Sequence, residues 1–200
     1  MCIRDRSGIE RTFSFEIDGI LYVGGGRTLD SDVIPSFWAY DIAEDVWTQK
    51  GDFPGVSRRN AFAFSIGGTG YMGTGFIGIV SISDFWKYRP EDDTWTRLAN
   101  FPGGNRSHSL ALSTDSKAYV LAGGNSFETS YYNDLWEFDP ITESWTFLAN
   151  FPGDTRWRAY GWIIGQKIYI GGGSKLNDQS FQDLYAFDLT TGTWLSLIHI

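Results

Sequence analysis

The side chains best suited to bind a ligand in this sequence are arginines, because a guanidinium group holds a carboxylate or sulfate through paired hydrogen bonds. Arg58, Arg106, Arg156 and Arg158 each lie just before a short apolar run. Trp157 separates the last two and offers an aromatic plate suited to a sugar ring. We therefore take these five residues as candidates for contacts with an anionic or carbohydrate ligand.

His108 is the one histidine between the terminal segments, since His199 and the single cysteine, Cys2, lie at the two ends of the chain. No second histidine, cysteine or carboxylate pair accompanies His108 at the spacing of metal ligands. We keep His108 as a candidate ligand contact and predict no metal, no cofactor and no catalytic residue. The acidic clusters 30–32 and 91–93 lack the alternating design of a calcium loop and indicate solvated turns.

Composition excludes several classes of partner. The formal net charge of −8 disfavours binding to a phosphate backbone, so we expect no nucleic acid partner. No apolar run approaches the length of about 18 residues that a membrane span needs. Hydrophobic residues make up 42% of the chain and aromatic residues 17%, which is enough for a packed core.

The terminal segments 1–6 and 195–200 do not follow the pattern of the rest and resemble translated sequencing-adapter read-through. We set both aside as non-native-looking ends of a metagenomic fragment. On this interpretation Met1 is not a true start, and the sequence near it carries no information about export.

Between those ends, one unit of about 50 residues is repeated. Its tryptophans are spaced by 48, 50 and 49 residues, at Trp47, Trp95, Trp145 and Trp194. Its tyrosines are spaced by 49, 48 and 50, at Tyr22, Tyr71, Tyr119 and Tyr169. Glycines at 26, 75, 123 and 173 keep the same intervals. Such a period is typical of the four-stranded blade of a β-propeller.

Each unit divides into four short strands. The first alternates small and bulky residues, as in 61–64, and the second runs into the glycines. The third is aromatic and ends in a turn, and the fourth begins at the repeated Trp and ends before Phe-Pro-Gly. Because both faces of such a sheet are apolar, we expect neighbouring sheets to bury each other, with the aromatic rings between them.

This arrangement predicts where ligands bind. The segments joining the second and third strands gather at the face where the first strands begin, at 27–36, 76–84, 124–134 and 174–183. Loops on a rigid scaffold commonly carry function. The arginines and His108 precede the first strands, so we expect them at the mouth of the central channel on this face.

The chain resembles the kelch repeats of the galactose-oxidase-like propeller superfamily. Arg106 and Arg156, the Gly pairs at 25–26 and 172–173 and the spaced Trp residues carry the resemblance. The motifs N-F-P-G-x-x-R and G-Y-M-G-T-G are similar to those in kelch arrays of Bacteroidetes-type surface and secreted proteins. The repeats are expected at 11–56, 57–104, 105–154 and 155–194, the last with its outer strand truncated.

The resemblance implies an all-β kelch-type propeller whose four four-stranded blades form part of a six- or seven-bladed ring. It also implies a structural alternative for Arg106 and Arg156, which would bond backbone carbonyls or an acidic neighbour inside the fold. We expect a protein that is secreted or at the cell surface and monomeric at full length.

Two functions follow from the resemblance. The first is a non-catalytic binding or scaffold module that recognises a protein or glycan through its rim loops. The second is a fragment of a kelch-type enzyme such as a sialic-acid mutarotase, which would need no metal. Galactose-oxidase chemistry is disfavoured, because it needs a Tyr–Cys cross-link and histidines that the repeats do not supply.

Overall fold

The computed structural model describes residues 8–30, 32–125, 130–175 and 179–198. Within these ranges the chain is all β, with four separate four-stranded antiparallel sheets that follow one another along the sequence. The four-bladed interpretation is confirmed. The segment 1–6 and residues 199–200 lie outside the described residues, so the prediction of non-native ends is not tested there.

In each blade the strands follow one another in space as they do in sequence. The first, or inner, strands are Phe13–Ile17, Phe62–Ile66, Leu110–Ser113 and Tyr160–Ile164. The second strands are Ile20–Gly24, Thr69–Gly73, Ala118–Leu121 and Lys167–Gly171. The third strands are Phe37–Asp41, Phe85–Arg89, Asp134–Asp139 and Leu184–Asp188. The fourth, or outer, strands are Val46–Gln49, Thr94–Arg97, Ser144–Asn150 and Thr193–Ile198.

The blades are arranged as an open arc. Each inner strand contacts the inner strand of the next blade, whereas across the described ranges the first and fourth inner strands do not meet. The bulky side chains of the fourth inner strand are correspondingly exposed, at 69% for Tyr160, 58% for Trp162 and 67% for Ile164. Their counterparts Phe62 and Phe64 are buried.

The core is divided among the three boundaries between blades. At the first boundary Phe13, Phe15 and Phe37 of blade one surround Trp95 of blade two, with ring centroids 5.1–6.4 Å apart. Equivalent clusters form around Trp145 and Trp194. Aromatic pairs at such distances contribute about 0.5–1.5 kcal/mol each beyond the burial of their area. The repeated rings therefore hold the blades together, as the alternation of apolar residues predicts.

Small residues make this close approach possible. A Cβ added to Gly70 in the second blade would lie 2.2 Å from the ring of Phe15 in the first blade. The glycine thus lets the Phe15 ring lie directly on the neighbouring backbone, which a side chain would prevent.

The outer strand of the fourth blade differs from expectation. We expected it to be truncated at Trp194, but it extends through Ile198 and pairs with the third strand across a bulge at Leu184. The side chains of Leu195 and Ile198 are 57% and 43% exposed, so the extension rests on backbone pairing more than on burial. A β-ladder tolerates almost any sequence on a solvent face, which explains why residues outside the repeat pattern continue the strand.

The described residues contain no helix with the length and apolar character that crossing a membrane requires.

Candidate functional site

Three of the candidate arginines are buried in ion pairs. Arg58, Arg106 and Arg156 have side chains with no solvent exposure, and each guanidinium binds both oxygens of one carboxylate. The acceptors begin or immediately precede the third strand of the blade and are, in order, Asp84, Asp134 and Asp183.

Most of the remaining donors of these arginines bond the backbone, although Nε of Arg106 is buried without a partner among the described residues. Arg58 Nη1 donates to the Thr74 carbonyl at 3.0 Å, and Arg106 Nη1 donates to the Ala122 carbonyl at the same distance. Thr74 and Ala122 replace the first glycine of the repeat yet keep its left-handed backbone, with φ of 59° in both. That conformation is shared with the glycine counterparts and exposes the carbonyl to the arginine.

An aromatic ring supports each of the three guanidinium groups. Arg58 lies 4.9 Å from the centroid of Phe53, and Arg106 lies 5.0 Å from that of Phe101. Both rings belong to Phe-Pro-Gly segments, so the repeated F-P-G-x-x-R sequence encodes this contact. With their carboxylate pairs formed and no solvent access, Arg58, Arg106 and Arg156 do not reach a ligand, and the structural alternative describes them.

The carboxylate of Asp84 stays ionised in its pair with Arg58. Burial would by itself raise the pKa of Asp84. The hydrogen bonds and charge of Arg58, with a hydrogen bond from the Trp86 indole N–H at 2.8 Å, lower that pKa below its usual value. The pair is therefore a charged structural clasp between the start of one blade and the third strand of the same blade.

A different set of residues surrounds the central channel. Just before each inner strand, one non-glycine residue has a left-handed backbone, with φ between 55° and 61°. The four residues are Arg11, Asn60, His108 and Arg158. We call these four residues the channel mouth.

The backbone groups of the channel mouth are linked from blade to blade. The N–H of Asn60 donates to the carbonyl of Arg11 at 2.9 Å, and that of His108 donates to Asn60 at 3.0 Å. The N–H of Arg158 donates to His108 at 3.1 Å. The relay aligns the four residues around the axis, with their side chains free to differ.

A cavity of about 300 Å³ adjoins the channel mouth. Asn60, His108 and Arg158 line it, together with small residues of the inner strands such as Ser14 and Ala111. A cavity of this size is at the small end of typical ligand sites.

Positive charge is concentrated beside this cavity. Within the described ranges neither Arg59 nor Arg158 makes an ion pair, and Arg11 is 3.4 Å from Glu10, which is held more tightly by Arg27. The pKa of Arg59 is lowered, first by burial and then by the charges of Arg27 and Arg11. Its Nε is buried without a hydrogen-bond partner. An anion placed here would relieve both the repulsion and the unpaired donor.

His108 is neutral in this environment. Burial lowers its pKa from 6.5 to about 3, and the positive charges of Arg158, Arg11 and Arg59 act in the same direction. Its Nδ1 lies 3.1 Å from the hydroxyl of Ser107. The imidazole therefore contributes hydrogen bonding and no charge to the site.

Trp157 is less accessible than the sequence suggests. Its indole N–H donates to the Ser174 hydroxyl at 2.9 Å, and its ring centroid lies 5.0 Å from His108 and 5.5 Å from Tyr131. Arg158 lies over the ring at 4.9 Å. Trp157 thus supports His108 and Arg158 from behind and offers part of its surface to a ligand.

Hairpins surround the channel mouth on the same face. The segment before each inner strand pairs with the base of a loop between the second and third strands, at Arg59–Phe76, Ser107–Gly124 and Trp157–Ser174. In the first blade Ile9–Glu10 pairs with Arg27–Thr28. The tips of the first two hairpins expose Leu29 at 77% and Ile79 at 72%. Part of the third and fourth hairpins, 126–129 and 176–178, lies outside the described residues.

Of the six candidates, the structure thus brings His108, Trp157 and Arg158 together at the channel mouth and separates Arg58, Arg106 and Arg156 from it. Our sequence analysis missed Arg11 and Asn60. Both lie on the repeat grid of His108 and Arg158, at intervals of 49, 48 and 50 residues, so aligning the units on these positions would have found them.

The described residues contain no group of three or more His, Cys, Asp or Glu side chains arranged to hold a metal ion.

Comparison with known proteins agrees with this architecture. Residues 6–161 match the family model described as the KLHDC2/KLHL20/DRC7 Kelch-repeats domain. The solved structure titled "Structure of YjhT" is similar, with a TM-score of 0.83 and 21% sequence identity over 96% of this chain. This chain spans 66% of the YjhT chain. No curated protein matches the sequence. At this level of identity the structural likeness concerns the fold.

Proposed function

Because the chain belongs to the kelch-repeat family, we propose that it is a non-catalytic binding module that recognises a protein or glycan ligand through its channel-mouth face. The observation that carries the proposal is a cavity of about 300 Å³ lined by Arg158 and His108, with Arg11 and Arg59 near enough for their charges to lower the pKa of His108. These arginines differ from the buried set in having guanidinium groups without a dedicated carboxylate partner, apart from the exposed contact of Arg11 with Glu10.

The chemistry of the face favours a ligand with an anionic group. A carboxylate or sulfate could accept hydrogen bonds from Arg158 and Arg59 while the neutral His108 adds a further polar contact. Charge-assisted hydrogen bonds of this kind contribute about 1.5–3 kcal/mol each. The exposed apolar hairpin tips at Leu29 and Ile79 would supply contact area around it.

The proposal is tested by a glycan array and by pull-down of proteins with the full-length protein, followed by affinity measurements on variants. We expect Arg158→Ala and Arg59→Ala to weaken binding by about tenfold or more, and Trp157→Ala to weaken it less. Arg97→Ala is the matched control, because Arg97 is exposed on an outer strand and bonds only Asn100 in the described contacts.

Ligands that bind equally well to Arg158→Ala, Arg59→Ala and the unmodified protein would contradict the proposal. Rising salt should weaken binding, since the contacts to the anion are ionic.

An enzymatic alternative is supported by one observation, the neutral His108 beside arginines that could orient a carboxylate. With its pKa lowered to about 3 the imidazole is a weak base, so in a metal-free sialic-acid mutarotase His108 would position the sugar by hydrogen bonding while the arginines hold its carboxylate. Accelerated mutarotation of a sialic acid by the full-length protein, abolished in His108→Ala and in Arg158→Ala, would favour this alternative over the binding module.

A further inference from the structure

The turn before each outer strand has one position that differs in the fourth blade. This position, two residues before the repeated Trp, holds Asp45, Asp93, Glu143 and Gly192 in successive blades. All four have a left-handed backbone, with φ of 54°, 52°, 50° and 67°. The glycine is therefore not required by the backbone, because acidic residues adopt the same conformation elsewhere in this chain.

In blades two and three the acidic side chain at this position closes the boundary to the preceding blade. Asp93 Oδ2 accepts a hydrogen bond from the N–H of Gly51 at 3.2 Å. Glu143 Oε1 forms an ion pair with Lys87 Nζ at 2.5 Å. Gly192 has no side chain that could reach blade three, and a Cβ added there would meet no atom within 4 Å.

A cavity of about 470 Å³ lies at this unfilled boundary. We call it the interblade cleft. Its polar lining includes Thr114, Asp115, Lys117, Tyr119, Glu137 and Gln166, and Gly192 also lines it. The turns that form it join first to second and third to fourth strands, so the cleft opens at the end of the sheets opposite the channel mouth.

The lining combines hydrogen-bond donors and acceptors. Glu137 occupies in blade three the position of Lys87 in blade two, but no described residue of blade four pairs with it. Lys117 Nζ is 3.5 Å from Glu137 and 2.8 Å from Asp139. The pKa of Tyr119 is raised, first by burial and then by Glu137, so its hydroxyl stays protonated.

This mixture selects among ligand classes. Glu137 and Asp115 would repel a simple anion, and Lys117 would repel a simple cation. Adjacent hydroxyl groups on a neutral ring both donate to a carboxylate and accept from an ammonium group. We propose that the interblade cleft binds a neutral sugar of monosaccharide size through the Glu137 carboxylate and the Lys117 ammonium group.

The test is binding of glucose, galactose, mannose and N-acetylglucosamine, measured by saturation-transfer NMR and titration calorimetry on the whole chain. At least one sugar should bind, and Gly192→Glu should weaken that binding by about tenfold or more, because the new side chain occupies the cleft as Glu143 does its own boundary. Glu137→Gln keeps the shape, removes the charge and should also weaken binding.

Asp45→Glu is the matched control, since it changes the same turn position in blade one, far from the cleft, and should leave sugar binding unchanged. Arg97→Ala, which changes an exposed residue on the outer strand of blade two, should also leave it unchanged. The proposal is overturned if none of the four sugars binds, or if bound sugar is insensitive to both Gly192→Glu and Glu137→Gln. It is equally overturned if acetate or methylammonium binds the cleft while the sugars do not.

Discussion

The arginines of this protein have two roles, one inside the fold and one at the binding face, and the residue that each arginine contacts decides between them. Arg106 and Arg158 both lie shortly before an inner strand, yet Arg106 meets Asp134 inside the fold, whereas Arg158 lies against Trp157 at the surface. A buried guanidinium group is tolerated only with its charge paired and its donors used. The partner carboxylate therefore decides whether an arginine belongs to the fold or to the binding face.

Removing one partner of a buried pair should be costly. Asp134→Asn leaves the charge of Arg106 buried without compensation, and we expect the free energy of unfolding to fall by about 3–5 kcal/mol. Chemical denaturation measures the change. Asp92→Asn is the comparison, because it breaks the exposed pair with Arg89, whose loss should lower the free energy of unfolding far less. Equal effects of the two substitutions would contradict the clasp role.

His108 should make stability depend on pH. Its pKa is 6.5 in the unfolded reference and about 3 in the fold, so between these values the unfolded chain binds a proton that the folded chain does not. Lowering the pH through this window therefore favours unfolding. His108→Asn places at this position the residue found at Asn60, which has the same backbone conformation, φ 56° against 58°.

We expect the melting temperature of His108→Asn to fall less between pH 7 and pH 4 than that of the unmodified chain, measured by calorimetry over that range. Parallel pH profiles for the two proteins would show that His108 is accessible to protons in the fold.

At the scale of elements, each blade is stabilised chiefly by its neighbour. The outer-strand tryptophans illustrate this, because Trp145 meets the rings of Phe62, Phe85 and Phe101 from the preceding blade. Trp47, at the same position of blade one, has Tyr40 of its own blade at 4.8 Å as its described ring partner. Tryptophan thus contributes differently to the free energy of unfolding at the two positions.

Truncating these two tryptophans separates the contribution of the boundary from that of the blade. Trp145→Ala should lower the free energy of unfolding by about 3–5 kcal/mol, since it opens a cavity in a core cluster. Trp47→Ala should cost clearly less, because among the described residues its ring partner is Tyr40 of the same blade and no ring of another blade. The measurement is equilibrium unfolding in urea, and a larger loss for Trp47→Ala would contradict stabilisation through the boundaries.

The elements were predictable because the residues that form them recur. Phe62 and Phe64 alternate with Ala61 and Ala63, and that alternation defines a strand with a bulky and a small face wherever it occurs. The site was harder to predict. Asp134 lies 28 residues after Arg106, and only the fold brings them together. Arg11 and Asn60 have a left-handed backbone although neither is a glycine, so the residue type does not indicate that conformation.

At the scale of the whole molecule, the arc leaves one blade face uncovered. Tyr160, Trp162 and Ile164 follow the pattern whose bulky residues are buried in the first two blades and partly buried in the third, but here they are more than half exposed. An exposed apolar patch of this kind promotes association between molecules.

Replacing the two exposed rings should separate solubility from stability. We expect the double variant Tyr160→Ser, Trp162→Ser to bind less of a hydrophobic dye and to associate less in sedimentation experiments. Its melting temperature should change little, because exposed substitutions usually alter stability by about 0.5 kcal/mol or less. The double variant Phe62→Ser, Phe64→Ser, at the equivalent buried positions, should not fold. A comparable loss of stability in both variants would show that the fourth face is covered in solution.

The channel mouth carries an implication for how such a surface diversifies. Arg11, Asn60, His108 and Arg158 share one main-chain geometry and one relay of amide-to-carbonyl bonds, while their side chains range from cationic to neutral. The residue found in one blade can thus replace that at the corresponding position of another blade without a change in the backbone. The side chains around the axis can therefore be exchanged independently of the backbone, and new binding specificities can arise by exchanging residues among these four positions.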